Sequence, residues 1–341
     1  MDLKQVATQR VVPVLRDEVY AEVELVQACC AEITDKRQTS NILRELTTLY
    51  PFSKDSWLKR VKNDGLGLLV FNQGAQGSTP GGTQVLIMVQ NSDSGPIDLE
   101  QIRSCLHNLA GLGELFVTPV PKEKPLTRKQ FNSSTVHWPT HFYENKRLEE
   151  HLNGSRFSAS ELDKIEAFMR EALAVAHSHD TVHTQHDSCT GAIIVDPVSN
   201  VVVARATNCP THLLKHAVMV CIDEVASVQG GGVWGGGEAG SHDDGCGGST
   251  AAILPQKRAK SGQQYLCSGY DLFTTVEPCV MCAMALVHAR IGRVFYGCAD
   301  EHGGALGSRY KIHTLQGVNH HFEVYGAVLE LECQQLHFTE L

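Results

Sequence analysis

A histidine and two cysteines, His216, Cys279 and Cys282, come from segments about sixty residues apart, with Pro278 directly before the first cysteine. If the three meet, the fold must bring the starts of two helices to one point. Thr211 to Gln229 has apolar residues at Val218, Cys221, Val225 and Val228, a helical spacing, and residues i and i+2 of a helix lie about 200° apart around its axis. His216 and residue 218 therefore approach a common centre only at the helix start. Pro278 suits a first helical turn, and Ala283 to His288 continues it. Two helix N-termini aimed at one spot favour thiolates, through the dipole and through free N–H groups. A single Cys-x-x-Cys among 12 cysteines also fits a redox pair, and one helical histidine is commonly a surface or core residue. Their order, together with the proline, selects a zinc site.

A zinc ion held by three protein ligands keeps one position for water and lowers its pKa to about 7. In the nucleobase deaminases that use this ligand set, the pattern is His-x-Glu followed by Pro-Cys-x-x-Cys, and the glutamate moves the proton. Here the first half reads His216-Ala217-Val218. Valine has no titratable group, and general acid/base catalysis contributes about 100- to 10,000-fold, or roughly 3–5 kcal/mol of barrier. The pattern predicts a metal cradle without its catalytic residue. Asp223, Glu224 and Glu277 are the acids nearest in sequence. Glu224 lies eight residues past His216, about 12 Å along a helix, too far for direct proton transfer.

The run Pro278-Cys279-Val280-Met281-Cys282-Ala283-Met284-Ala285-Leu286-Val287-His288-Ala289-Arg290-Ile291, then Gly303-Gly304-Ala305-Leu306-Gly307-Ser308 and Leu315 to Tyr325, resembles the tRNA adenosine deaminase branch of the cytidine deaminase-like superfamily. The resemblance covers about residues 158–328. Within that branch, the valine, a long N-terminal extension and Asn319-His320-His321-Phe322-Glu323-Val324 resemble the non-catalytic third subunits of eukaryotic heterodimeric tRNA wobble deaminases. It implies an α/β/α cytidine deaminase-like domain with a mixed sheet, Zn2+ on His216, Cys279 and Cys282, and no catalytic residue, Val218 occupying the glutamate position. It also implies a catalytic subunit as partner and adenosine-to-inosine conversion at the wobble position, A34, of tRNA. It places Glu277 at the substrate-facing end of a strand, with no reason to reach the metal. A carboxylate, that of the chain terminus at Leu341, is the candidate for the fourth zinc position. Two alternatives stay open on the residues: an autonomous deaminase using another acid, and a structural zinc domain that binds RNA or protein without deaminase activity.

At 341 residues with 42% hydrophobic content the chain has material for two cores. Residues 1–120 read as strand 23–33, a helix at 37–49 capped by Asp35, strands 66–72 and 83–90 across a Gly-rich turn, a helix at 97–110 and strand 114–119. That order, βαββαβ, predicts an α+β ferredoxin-like domain, a fold that often leaves one sheet face open. Residues 121–157, polar and bearing proline, read as a linker. The second domain, 158–341, opens on a capping box at Ser158 and Glu161 and holds strands at 191–196, 200–206, 265–275 and 291–297 among helices, an α/β layered pattern. Between its two halves, 229–264 is a Gly-rich insertion, with Val233 and Trp234 as its apolar anchors and a basic trio, Lys257, Arg258 and Lys260; it reads as a solvated surface loop.

Net charge is −9, of which the segment 151–341 carries −8. The basic residues of the first half cluster at Lys54, Lys59, Arg60 and Lys62 and at Lys122, Lys124, Arg128 and Lys129, with Trp57, Phe131 and Trp138 interleaved. These eight are the candidate RNA contacts, since cationic and stacking groups together suit phosphates and bases. No apolar run approaches the roughly 20 residues of a membrane span, and no N-terminal stretch suits a signal peptide. Cysteine usage without that signal predicts reduced thiols in cytoplasm and nucleus, with Cys29, Cys30 and Cys105 as core packing.

Overall fold

The computed structural model describes residues 10–52, 56–63, 82–90, 95–179, 189–208, 212–234 and 265–337. In chain order its elements are β1 (Val12–Pro13), α1 (Asp17–Tyr20), β2 (Leu25–Ile33), α2 (Thr39–Leu49), β3 (Val61–Asn63), β4 (Thr83–Val89), α3 (Leu99–Leu106), β5 (Leu112–Pro121), α4 (Arg128–His137), α5 (Lys146–Leu152) and α6 (Ala159–His179). There follow β6 (Gly191–Asp196), β7 (Val201–Thr207), α7 (Ala217–Val228), β8 (Asp271–Val276), α8 (Val280–Ala289), β9 (Arg293–Cys298), β10 (Glu323–Gly326) and α9 (Glu330–His337). The chain divides into two units: Asp17–Glu149, and a second that joins Met1–Arg16 to Glu150–Leu341.

The second unit is built on one mixed sheet in the order β1-β10-β9-β8-β6-β7. β8, β9 and β10 run parallel, β6 and β7 are antiparallel, and β1 caps the far edge antiparallel to β10. Side chains alternate across the strands. Ile193, Val195, Phe273, Phe295 and Tyr325 face α6 and α9, whereas Ala192, Ile194, Leu272, Val294 and Tyr296 face α7 and α8. Period-two burial on both faces, with helices covering each, makes the α/β/α layering, and each fully buried aliphatic or aromatic side chain contributes about 1.5–3 kcal/mol. Two glycines set how closely the helices approach: a Cβ on Gly191 would collide with the Ala172 carbonyl of α6, and one on Gly297 with the Cys333 sulfur of α9.

The expected domain boundaries need correction at both ends. Residues 10–16 are not part of an N-terminal domain, because Val12 and Pro13 pair with Gly326 and Tyr325. Arg10 is also bound to Asp163 at 2.9 Å and to Glu166. Pro13 is tolerated there because an edge strand needs no donor on its open side. Nor is 121–157 a linker. Thr127 and Gln130 form a capping box that starts α4, and Trp138, at its end, is 0% exposed with its indole N–H donating to the Lys59 carbonyl at 2.7 Å. The capping box expected at Ser158 does open α6: Glu161 accepts from the Ser158 N–H at 2.8 Å.

The unit 17–149 runs β2-α2-β3-β4-α3-β5, with an antiparallel sheet in the order β3-β4-β2-β5. Ile42 and Leu46 of α2 and Ile102 and Leu106 of α3 pack on Cys29, Ala31, Ile33, Val85 and Ile87. The opposite sheet face is not open: Ala28, Cys30, Leu86 and Val120 lie under Leu58 and Trp138. The strand expected at 66–72 and its Gly-rich turn fall outside the described residues, and the strand beside β4 is Val61–Asn63. The second helix starts only at Leu99, because Asp98 caps it by accepting from Glu100 and Gln101. Cys105 is exposed on that helix rather than packed in the core.

Candidate metal centre

His216 and Cys279 are the N-cap residues of α7 and α8, and neither makes a side-chain capping bond. Pro278 thus lies one residue before the cap, not in the first turn. Backbone N–H groups at both helix starts favour the thiolates, those of Met281 and Cys282 acting on Cys279 and that of Met219, from the other helix, on Cys282. Both cysteine sulfurs lie 3.6 Å from His216 Nδ1, and the three donor atoms fall within 4.8 Å of one another. With Zn–S bonds of about 2.3 Å and a Zn–N bond of about 2.0–2.1 Å, tetrahedral geometry separates sulfur and nitrogen by roughly 3.5 Å. The donor set and its spacing fit zinc. The hydrogen bond from Cys282, followed by backbone N–H groups and His216, pulls the Cys279 thiol down to about 5, while the same shared proton and burial push Cys282 up. Zinc takes cysteine as thiolate, so a bound cation would displace the proton that the pair shares.

Val218 sits in the first turn of α7, 3% exposed, in one apolar cluster with Ile194, Cys221 and Leu286. The position that a proton-carrying acid would need is part of the core. The three acids nearest in sequence are each engaged in hydrogen bonds of the fold. Glu224 is half-buried and accepts from the Arg205 backbone N–H at 3.1 Å, with burial raising its pKa. Asp223 accepts from the Val233 and Trp234 N–H groups at 2.5 and 3.1 Å. Glu277 is 3% exposed, and both its oxygens are occupied by N–H groups of Asp300, Leu306 and Ser308 and by the Ser308 hydroxyl. Leu341, the expected fourth ligand, lies outside the described residues.

Residues 162–298 match the family described as "Cytidine and deoxycytidylate deaminase zinc-binding region". A mouse protein named "Probable inactive tRNA-specific adenosine deaminase-like protein 3" is 39% identical over 341 residues, spanning 97% of this chain and 92% of the relative. This chain belongs to the inactive tRNA-specific adenosine deaminase-like protein 3 family. An Arabidopsis thaliana relative, "tRNA-specific adenosine deaminase TAD3", is 24% identical over 379 residues, 88% of this chain and 90% of its own. A solved chain from a study of A-to-I editing by tRNA:A34 deaminases is 26% identical, covers 50% of this chain and 98% of its own length, and has a TM-score of 0.37. The family is inactive by name, and in this chain the residue two past His216 is the buried Val218.

For a member of this deaminase-like family, the eight basic residues singled out in the sequence differ in where the structure places them. Lys54 lies outside the described residues. Arg60 is a correction: its guanidinium donates to the carbonyls of Leu46 at 2.9 Å and Tyr50 at 3.0 Å and lies 3.9 Å over the Phe52 ring, closing the end of α2. Lys62 is half-buried, over Trp138 at 5.7 Å. Lys122 pairs with Glu24 at 2.7 Å, and Arg128 with Glu144 at 3.0 Å. Lys59, Lys124 and Lys129 are exposed. Of the interleaved aromatics, Trp138 is fully buried and offers no stacking face, while Trp57 is part-buried and donates its indole N–H to the Pro121 carbonyl at 3.3 Å. Sequence reasoning missed Phe142, which stacks on Phe131 at 4.9 Å. Its signal is the aromatic run His141-Phe142-Tyr143, which lies in the segment expected as a linker.

Proposed function

We propose that this chain is the non-catalytic, zinc-holding subunit of a heterodimeric tRNA adenosine deaminase, pairing with a catalytic subunit and helping to bind tRNA for adenosine-to-inosine conversion at A34. One observation carries the reading: a complete His216, Cys279 and Cys282 cradle with a buried valine where the acid belongs. The donor spacing supports Zn2+ as its occupant, contributing fold stability rather than turnover. The βαββαβ order and the sheet order β3-β4-β2-β5 support a ferredoxin-like unit for residues 17–149. Among the basic residues, Lys59, Lys124 and Lys129 are the ones whose exposure suits phosphates, and Lys54, Lys62, Lys122 and Arg128 are further candidates from the sequence. A place in cytoplasm and nucleus agrees with the described cysteines being free thiols. No helix among the described residues is long and apolar enough to cross a membrane.

The test is reconstitution. The chain alone, a catalytic deaminase subunit alone and their mixture are assayed for inosine formation on whole tRNA and on the anticodon stem-loop, with metal content measured in parallel. Activity in the mixture, above either component, is expected. Activity of the chain alone would establish an autonomous enzyme, and a mixture no better than the catalytic subunit would leave a structural zinc protein.

A further inference from the structure

Some candidate nucleic-acid groups of unit 17–149 are used internally, as described for Arg60 and Trp138. One cluster is not. Phe131, on α4, and Phe142, just after it, stack with centroids 4.9 Å apart and planes 15° from parallel. The Arg128 guanidinium lies 5.2 Å from the Phe142 centroid and 5.9 Å from that of Phe131, held by Glu144 at 3.0 Å. It remains about half exposed, at 49%. Next to Phe142, Tyr143 is 82% exposed, on a segment fixed at both ends: the His141 N–H donates to the Trp57 carbonyl at 2.6 Å, and Asn145 caps the first turn of α5 through Leu148 at 3.2 Å. Lys129, one residue along α4 from Arg128, is exposed and has no ion-pair partner among the described residues.

We propose that Tyr143, with Phe142, Arg128 and Lys129, forms a stacking platform for one unpaired nucleotide of the bound RNA, the base lying on the tyrosine ring and its phosphate meeting Lys129. This rests on the tRNA-binding reading above and adds the residues and the mode of recognition. The chemistry is that of single-strand binding: a π-face accepts any base, a cation nearby tracks the backbone, and neither needs a groove. Helical RNA would not use this arrangement, because its bases are already stacked and its exposed edge is a shallow groove. Arg128 serves as a positioning residue, since its charge is spent on Glu144 and its plane braces the two phenylalanines.

The experiment uses the full chain assembled with its catalytic subunit, and measures tRNA and anticodon stem-loop affinity against salt for wild type, Tyr143→Ala, Tyr143→Phe and Lys129→Gln. Tyr143→Ala is expected to weaken binding about tenfold with an unchanged salt slope, and Tyr143→Phe to restore it, since stacking needs the ring and not the hydroxyl. Lys129→Gln is expected to lower the slope by about 0.7–0.9. If Tyr143→Ala binds within twofold of wild type, the platform is overturned while the subunit's role in binding stands. If it impairs assembly with the catalytic subunit instead, the surface is a protein contact and the platform is likewise overturned. A wild-type complex that gains no tRNA affinity from this chain would overturn the proposed function and the platform with it.

Discussion

The carboxylate of Glu277 accepts the backbone N–H of Leu306 at 2.8 Å, across 29 residues of sequence, and so closes the loop 300–308 over the end of β8. Its other bonds, to Asp300 and Ser308, engage both oxygens in bracing this loop. Gly304 is required beside it, because an added Cβ would collide with the carboxylate. Glu277→Gln turns an amide N–H against groups that already donate. Leaving buried donors unsatisfied costs about 1–3 kcal/mol, more when a charge was involved. The expected outcome is a lower melting temperature with zinc content retained; loss of metal at unchanged stability would refute the bracing role.

Restoring the acid alone is not expected to restore the enzyme. Val218→Glu would bury a carboxylate among Ile194, Cys221 and Leu286, where lost hydration raises its pKa and destabilises the fold by about 1–3 kcal/mol. Thermal unfolding should shift down, and inosine formation by the chain alone should stay at background. Vigorous turnover by the single variant would contradict this.

Removing the metal should loosen the junction of α7 and α8. Chelation, or Cys282→Ser, is expected to abolish stoichiometric zinc and to lower the melting temperature of the unit that contains these helices, because binding energy at a structural site is folding energy. Equal unfolding curves for the zinc-loaded and zinc-stripped chain would show that the cradle contributes nothing to stability.

Arg60 and Lys124 should part company in a salt titration. Arg60→Ala removes the groups that close α2 and should lower stability by about 1–3 kcal/mol, with the salt slope of tRNA binding unchanged. Lys124→Gln should leave stability unaltered and reduce that slope by about 0.7–0.9. A slope lowered by Arg60→Ala would restore it to the RNA surface.

Acid should weaken the C-terminal unit through His313. Burial, with Lys311 and His321 nearby, depresses it to about 4, while its Nε2 donates to the Val14 carbonyl at 2.9 Å. The unfolded chain takes up the proton first, so this stability is full above about pH 6.5 and falls between there and about pH 4, by roughly 3 kcal/mol. Stability measured across that window for wild type and His313→Gln should show a flatter acid limb for the variant. Parallel limbs would assign the acid sensitivity elsewhere.

The metal cradle was legible because its chemistry allows few residue types and the two helix starts are marked by pattern. The layered sheet was legible because strands 191–196 and 293–298 are apolar on both faces, as buried strands must be. The basic clusters were not sortable: nothing in the sequence distinguishes Arg60, turned onto the carbonyls of Leu46 and Tyr50, from Lys59 beside it. The true span of the units was hidden for a related reason. Two residues at Val12–Pro13 carry no periodicity, and what recruits them is the edge of β10, a partner distant in sequence. Trp138 looked like a surface ring because it follows a polar stretch, yet that stretch is the outer side of a helix whose end seals a sheet.

That edge pairing has a bearing on how the polypeptide is made. Val12 and Pro13 leave the ribosome well before Tyr325 and Gly326, with the whole of unit 17–149 made in between. β1 therefore waits, unmatched, until β10 has emerged, and a bulky fusion placed directly before Arg10 would meet the sheet at a seam that cannot close sooner.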